Sequence, residues 1–190
     1  MSSIHCLDYI IDMAGYVLKK YRIKRSIIKS GGVIGTMVKL SVGGKFRFGT
    51  NIVLNDSGID LSKWSHIDVS KGAILEIGDN SGLSQFSIVC KQFIKIGRFV
   101  NIGAGSLIMD TNFHSADWKV RRNHSIDKKS AKTAPVIIED DVFIGARCII
   151  CKGVTIGARF IIAAGSVVVK NIPADCIAGG NPCKVIRYIR

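Results

Sequence analysis

The sequence predicts an all-β chain wound into a three-sided parallel β-helix, and three observations carry that prediction. Aliphatic residues recur every six positions at Ile138, Ile144, Ile150, Ile156, Ile162 and Val168, and the same register holds earlier at Ile96, Ile102 and Ile108. Four residues after each of the later positions comes a second set, Val142, Cys148, Val154, Phe160, Ser166 and Ile172, mostly small or apolar. Hydrophobic residues make up 47% of the 190 residues but aromatics only 7%, so aliphatic side chains must fill the core. A period of six fits neither an amphipathic helix nor an alternating strand. It fits a short strand, a turn, another strand and another turn, so that three sides close a coil of about 18 residues and stacked coils form a prism. A buried helix over Phe160–Val169 would conflict with its β-branched content, its glycine and its unbroken register.

The elements follow in chain order. Over residues 1–30 the chain reads as a helical cap. Ile4, Leu7, Ile11, Ala14, Val17 and Leu18 have the three- and four-residue spacing of an amphipathic helix. Lys19, Lys20, Arg22, Lys24, Arg25 and Lys29 then place six basic residues within eleven positions. That run suits either a solvated face of a helix covering the end of the prism or contact with an anionic membrane surface. Residues 31–172 form the β-helix, with looser repeats at Phe48, Leu54, Ile77, Leu83 and Val89. Glycines directly after the repeated aliphatic, such as Gly97, Gly103, Gly145 and Gly157, suit corners that need positive φ. Between Ile108 and Ile138 the rhythm stops, and the polar stretch of residues 110–135 reads as a loop leaving the prism wall. Pro173 ends the pattern. Residues 173–190 read as an irregular basic tail carrying Lys184, Arg187 and Arg190.

The formal net charge of +13 favours anionic partners. No aromatic-basic motif accompanies it, so nucleic acid is not expected. No run of 18 apolar residues and no secretory signal is read, which predicts a cytoplasmic protein with reduced thiols, in peripheral contact at most with the inner face of a membrane. Cys148 and Cys151 have the spacing of a metal pair, but no second pair follows, so no metal site is expected.

These repeats resemble those of the hexapeptide-repeat acyltransferases, and the resemblance implies a left-handed coil. It covers roughly residues 75–190. The segment from Pro135 to Arg187 is similar to the closing part of galactoside, maltose and nodulation-factor O-acetyltransferases. The sequence Asp110-Thr111-Asn112-Phe113-His114 resembles the D-x-(D/N)-F-H motif that opens the extended loop of bacterial enzymes acetylating cell-surface polysaccharides and their precursors. The resemblance implies a transfer from acetyl-CoA to a sugar hydroxyl, without a metal, with His114 as general base. Imidazole titrates near neutrality and can take the alcohol proton as oxygen attacks the thioester. Asp110 and Asp117 are candidates to orient it, by proximity in sequence. His5, His66 and His124 read as ordinary surface histidines.

The same resemblance places Phe143, Ala146, Ala163, Ala164, Gly165, Lys170, Lys184 and Arg187 along acetyl-CoA. Phe143 stands where relatives often carry tryptophan, and Ala146 where galactoside enzymes carry serine. An oxyanion donor at Ala146 would therefore be a backbone N–H. The family's sites lie between the subunits of a homotrimer. Two alternatives stay open, an N-acetyltransferase acting on an amino sugar nucleotide and a non-catalytic β-helix scaffold. A zinc-dependent β-helix enzyme would need three histidines, and the loop holds only His114 and His124.

Overall fold

The computed structural model describes residues 3–55 and 65–189, with side chains from Gly15 onward except that of residue 16. Three parallel sheets run along its length. Face A stacks Val33–Ile34, Val53–Asn55, Gly82–Ser84, Asn101–Ile102, Phe143–Ile144, Ile161–Ile162 and Cys176–Gly179. Face B stacks Val38–Val42, Ser65–Val69, Ser87–Cys90, Leu107–Met109, Ile149–Ile150 and Val167–Val168. Face C stacks Lys45–Phe48, Ile74–Ile77, Phe93–Ile96, Val136–Ile138 and Thr155–Ile156. The chain visits A, B and C in turn, so successive repeats occupy successive faces.

The sixfold aliphatics form the interior columns. Ile102, Ile144 and Ile162 pair on face A, Ile108, Ile150 and Val168 on face B, and Ile96, Ile138 and Ile156 on face C. All are at most 3% exposed, and the second set is buried with them. Each column residue is sealed by its neighbours one coil above and below, so the repeat is a packing requirement. Ile108 and Ile138 lie on adjacent faces B and C. Their separation by thirty residues is thus one step of the coil carrying an insertion, not five repeats. One register differs from expectation: Ile88 points inward and Val89 outward, because the corner after Leu83 is one residue shorter.

The glycines after the column residues do not have positive φ; the left-handed residues lie two positions further on. These are Phe99, Gly105, Asp141, Arg147, Gly153, Arg159 and Gly165. The glycines answer a different constraint. A Cβ on Gly103 would lie 2.5 Å from the backbone nitrogen of Ala146, and one on Gly145 would lie 2.5 Å from that of Ala164. Their place is fixed by the close approach of the next coil.

At the N-terminal end, α1 (Ser3–Lys29) meets the prism through Ile27, fully buried, and Ile23. The Lys19 ammonium donates to the Gly44 carbonyl at 3.1 Å. Val17 and Leu18, expected on the packed stripe, are instead exposed. Ile4, Leu7, Ile11 and Ala14 lie outside the described side chains. At the other end the expected irregular tail is a hairpin. Cys176–Gly179 extends face A, and Lys184–Tyr188 returns antiparallel beside it. Arg190 lies outside the described residues.

Candidate active site

The loop leaves the prism at the corner between faces B and C. Its neck is an antiparallel pair: Thr111 bridges Thr133, Asn112 N–H donates to the Lys132 carbonyl at 3.1 Å, and Ala134 N–H donates to the Asp110 carbonyl at 3.0 Å. Beyond the neck the chain makes two short helices, α2 (Trp118–Arg121) and α3 (His124–Ser130). Asp117 caps the first by accepting from Lys119 N–H at 2.8 Å. Asn123 caps the second by accepting from Ile126 N–H at 3.2 Å. Such short helices gain little from their own hydrogen bonds and depend on caps and tertiary contacts.

This fold-back brings Asp127 to His114. His114 Nδ1 lies 2.6 Å from Asp127 Oδ2, and Ser115 N–H donates to the other carboxylate oxygen at 2.7 Å. The Asp127 side chain is 3% exposed, whereas that of His114 is 61% exposed. The bond from His114, with help from the Ser115 amide, holds the Asp127 carboxyl below its ordinary value. A carboxylate facing Nδ1 requires a proton on that nitrogen, which leaves Nε2 as the acceptor of the neutral ring. Arg121 braces the turn by donating to the carbonyls of Ser115 and Ala116 at 2.8 and 3.0 Å.

The two expected partners of His114 are engaged elsewhere. The buried Asp110 carboxylate accepts from the backbone amides of Lys91, Gln92 and Phe93 at 2.7, 2.7 and 2.8 Å. It closes the corner one coil below the loop. Asp117 is occupied as a helix cap. Asp127 was missed because it lies thirteen residues from His114. The one local signal was the capping residue Asn123, which announces a short helix that turns the chain back.

Ala146, Ala163, Ala164 and Gly165 share the corner between faces A and B on adjacent coils, where Gly165 N–H donates to the Ala146 carbonyl at 2.8 Å. Ala164 and Gly165 are exposed, and a Cβ on Gly165 would meet nothing within 4 Å. Phe143 stands on the outer side of face A, 50% exposed, at the end of an open groove of about 500 Å³ that also runs past Val53, Ser84 and Asn101. Lys184 and Arg187 lie on the added strand of face A, and Lys170 follows face B. All three are exposed. Within one chain, His114 and the alanine-lined corner are therefore at different corners, with face B between them.

Cys148 points into the prism, its thiol 3.3 Å from the Ala163 carbonyl, while Cys151 lies partly exposed on the wall. Burial raises both thiols above their ordinary values. Among the described residues no helix is long and apolar enough to cross a membrane.

Residues 135–170 match the family model described as the hexapeptide repeat of succinyl-transferase. Those residues carry the repeat that this model describes. The three-sided coil is the left-handed β-helix that the sequence resemblance implied. This hexapeptide-repeat chain is 40% identical over 91 residues to a 2,3,4,5-tetrahydropyridine-2,6-dicarboxylate N-acetyltransferase of Staphylococcus aureus (strain Newman). The match takes in 48% of this chain but only 31% of that protein, so the chain spans about a third of the length of the curated relatives it matches. Among solved structures it is similar to the hexapeptide-repeat acetyltransferase VCA0836 of Vibrio cholerae O1 biovar eltor, solved with acetyl coenzyme A. The TM-score is 0.58 and the identity 25%, over 91% of this chain and 78% of the other. A mutant of AntD, an N-acyltransferase from Bacillus cereus solved with dTDP and coenzyme A, shares the fold with a TM-score of 0.69 at 20% identity, over 83% and 80%.

Proposed function

We propose that this chain is an acetyl-CoA-dependent O-acetyltransferase that modifies a sugar hydroxyl of a cell-surface polysaccharide or its precursor. The observation that carries the reading is the His114–Asp127 pair, a buried carboxylate that engages Nδ1 of an exposed imidazole. In the proposed reaction Nε2 takes the hydroxyl proton as the sugar oxygen attacks the thioester carbon. The carbon–sulfur bond then breaks, and His114 returns the proton to the departing thiolate. Asp127 keeps the ring in one tautomer and stabilises the transient imidazolium.

Ala146, Ala163, Ala164 and Gly165 offer a smooth corner for the pantetheine arm, and Phe143 an apolar face near its reactive end. Lys170, Lys184 and Arg187 supply positive charge for its phosphates. Support for the donor comes from the likeness to a structure solved with acetyl coenzyme A. The separation of His114 from the alanine corner supports a homotrimer, in which the loop of one subunit serves the corner of the next. Exposed Phe113, Trp118, Ile126 and Phe143 are surfaces such an assembly would cover. The site of action in this reading is the cytoplasm, where the donor is available.

A second reading, N-acetyl transfer to an amino sugar nucleotide, is favoured by the 40% identity to an N-acetyltransferase. One experiment decides between them. The purified chain is offered acetyl-CoA with matched hydroxyl- and amino-bearing sugar acceptors, and the products are treated with mild alkali. An acetyl group lost to alkali is an ester and supports O-transfer; an alkali-stable acetyl group supports N-transfer. No turnover, together with no thermal stabilisation by saturating acetyl-CoA, would support the scaffold reading instead.

A further inference from the structure

We propose that the outer face of α1 docks this protein on an anionic lipid bilayer. Ile23 and Ile27 fix the inner face against the prism. On the outer side Val17, Leu18, Tyr21 and Ile28 are 59%, 54%, 63% and 60% exposed. At about 100° per residue, Val17, Tyr21 and Ile28 fall within about 40° of one another and Leu18 beside them, turned well away from the packed face. Four large apolar side chains aligned on one exposed helix face form a patch that water disfavours.

The charge around this patch is one-sided. Residues 13–55 contain nine of the chain's 27 basic residues and none of its 14 acidic ones. By the same angles Arg25 falls between Tyr21 and Leu18, Lys29 lies just beyond Leu18, and Lys20 and Lys24 flank the stripe on its other side. Lys20 and Lys24 also line a groove of about 450 Å³ between α1 and face B, together with Lys39, His66, Thr36 and Ser41; among the described residues no acidic one lines it. An apolar stripe between basic flanks, beside a basic groove, is the pattern of a helix lying in the plane of a membrane interface. The apolar residues enter the acyl boundary while the lysines and arginines meet phosphate headgroups. A second copy of the chain would bring the same positive charges to the stripe, so complementarity favours an anionic bilayer.

The test uses the full chain and two vesicle populations, one of phosphatidylglycerol with phosphatidylcholine and one of phosphatidylcholine alone. The protein should co-sediment with the first and not the second, and salt should weaken the binding. Replacing Lys24, Arg25 and Lys29 by Gln should reduce partitioning about 100-fold, at roughly fivefold per charge. The triple variant V17S/Y21S/I28S should reduce it at least about tenfold. Helix content and thermal midpoint should stay nearly unchanged in both, since Val17, Tyr21, Arg25, Ile28 and Lys29 are exposed and Lys24 is only partly buried. Equal binding to both vesicle types, or binding indifferent to either variant, would overturn the proposal. So would failure of the native chain to bind while V17S/Y21S/I28S changes its oligomeric mass, since the stripe would then be an interface between copies.

Discussion

Two corners of the prism use charge in opposite ways. The corner from face C to face A is a ladder of pairs between successive coils. Thr50 donates to Asp79, Arg98 grips Asp140 at 2.7 and 3.0 Å, and Arg159 grips Asp175 at 2.6 and 2.7 Å, while on face C beside them Arg47 meets Glu76 at 2.6 Å. Each of these acids holds a neighbouring coil. At the corner from B to C, Asp110 does the same kind of work, but the chain then departs and makes one pair of another sort. Asp127 is buried and its partner His114 is exposed, so the acid steadies a ring that stands open to solvent. A carboxylate is structural when both partners belong to the coil. It becomes chemical when its partner presents a second, unsatisfied function.

Substitutions can break this contrast, beginning with the largest effect. His114→Ala should lower acetyl transfer by about 10² or more, the usual scale for losing a general base, with thermal stabilisation by acetyl-CoA retained. Unchanged turnover would remove His114 from the reaction. Asp110→Ala should act on folding instead: three corner amides lose their acceptor, and urea unfolding should show a loss of about 2 kcal/mol. A large fall in turnover without loss of stability would return Asp110 to the chemistry. Asp127→Asn should lower turnover at least about tenfold, through the wrong tautomer, with a small fall in the thermal midpoint because the Ser115 amide keeps an acceptor. Asp140→Ala at the ladder should cost about 1 kcal/mol in the urea midpoint and leave turnover alone, its ion pair being partly solvated.

The smallest and most gradual effect is that of pH. Hydrogen bonds from Thr50, Arg98 and Arg159 lower the carboxyls of Asp79, Asp140 and Asp175, and the bond from His114 lowers that of Asp127. Folded values below unfolded ones stabilise the chain fully above about pH 4, and that contribution declines as pH falls through the lowered values. Urea midpoints from pH 6 to pH 3 should trace the decline, and Asp140→Ala should flatten it.

What could be read from the sequence follows from where information is stored. A column residue such as Ile150 is specified by identical neighbours one coil away, so its role is visible as periodicity. The glycines were legible as a pattern but not as a cause. Positive φ and close backbone approach both select glycine, and only the stacked coils distinguish them. His114 was found through a motif resemblance, whereas Asp127 depends on how two capped helical turns fold the loop back, a nonlocal arrangement with no period to betray it. Asp110 and Asp117 were nearer in sequence and were already committed, one to three amides and the other to a cap. The last coil misled for a similar reason: Pro173 ends the repeat, but Cys176–Gly179 still finds its place on face A.

The narrow neck of the loop has a consequence for how such proteins diversify. The chain departs and returns at paired threonines, and Ile108 and Ile138 resume their columns as if nothing intervened. Everything between Asn112 and Lys132 is therefore a cassette, exchangeable for another of any length that closes on the same two threonines. In the proposed function that cassette carries both His114 and Asp127, so the proposed chemistry would travel with the loop while the rod that carries it stays untouched.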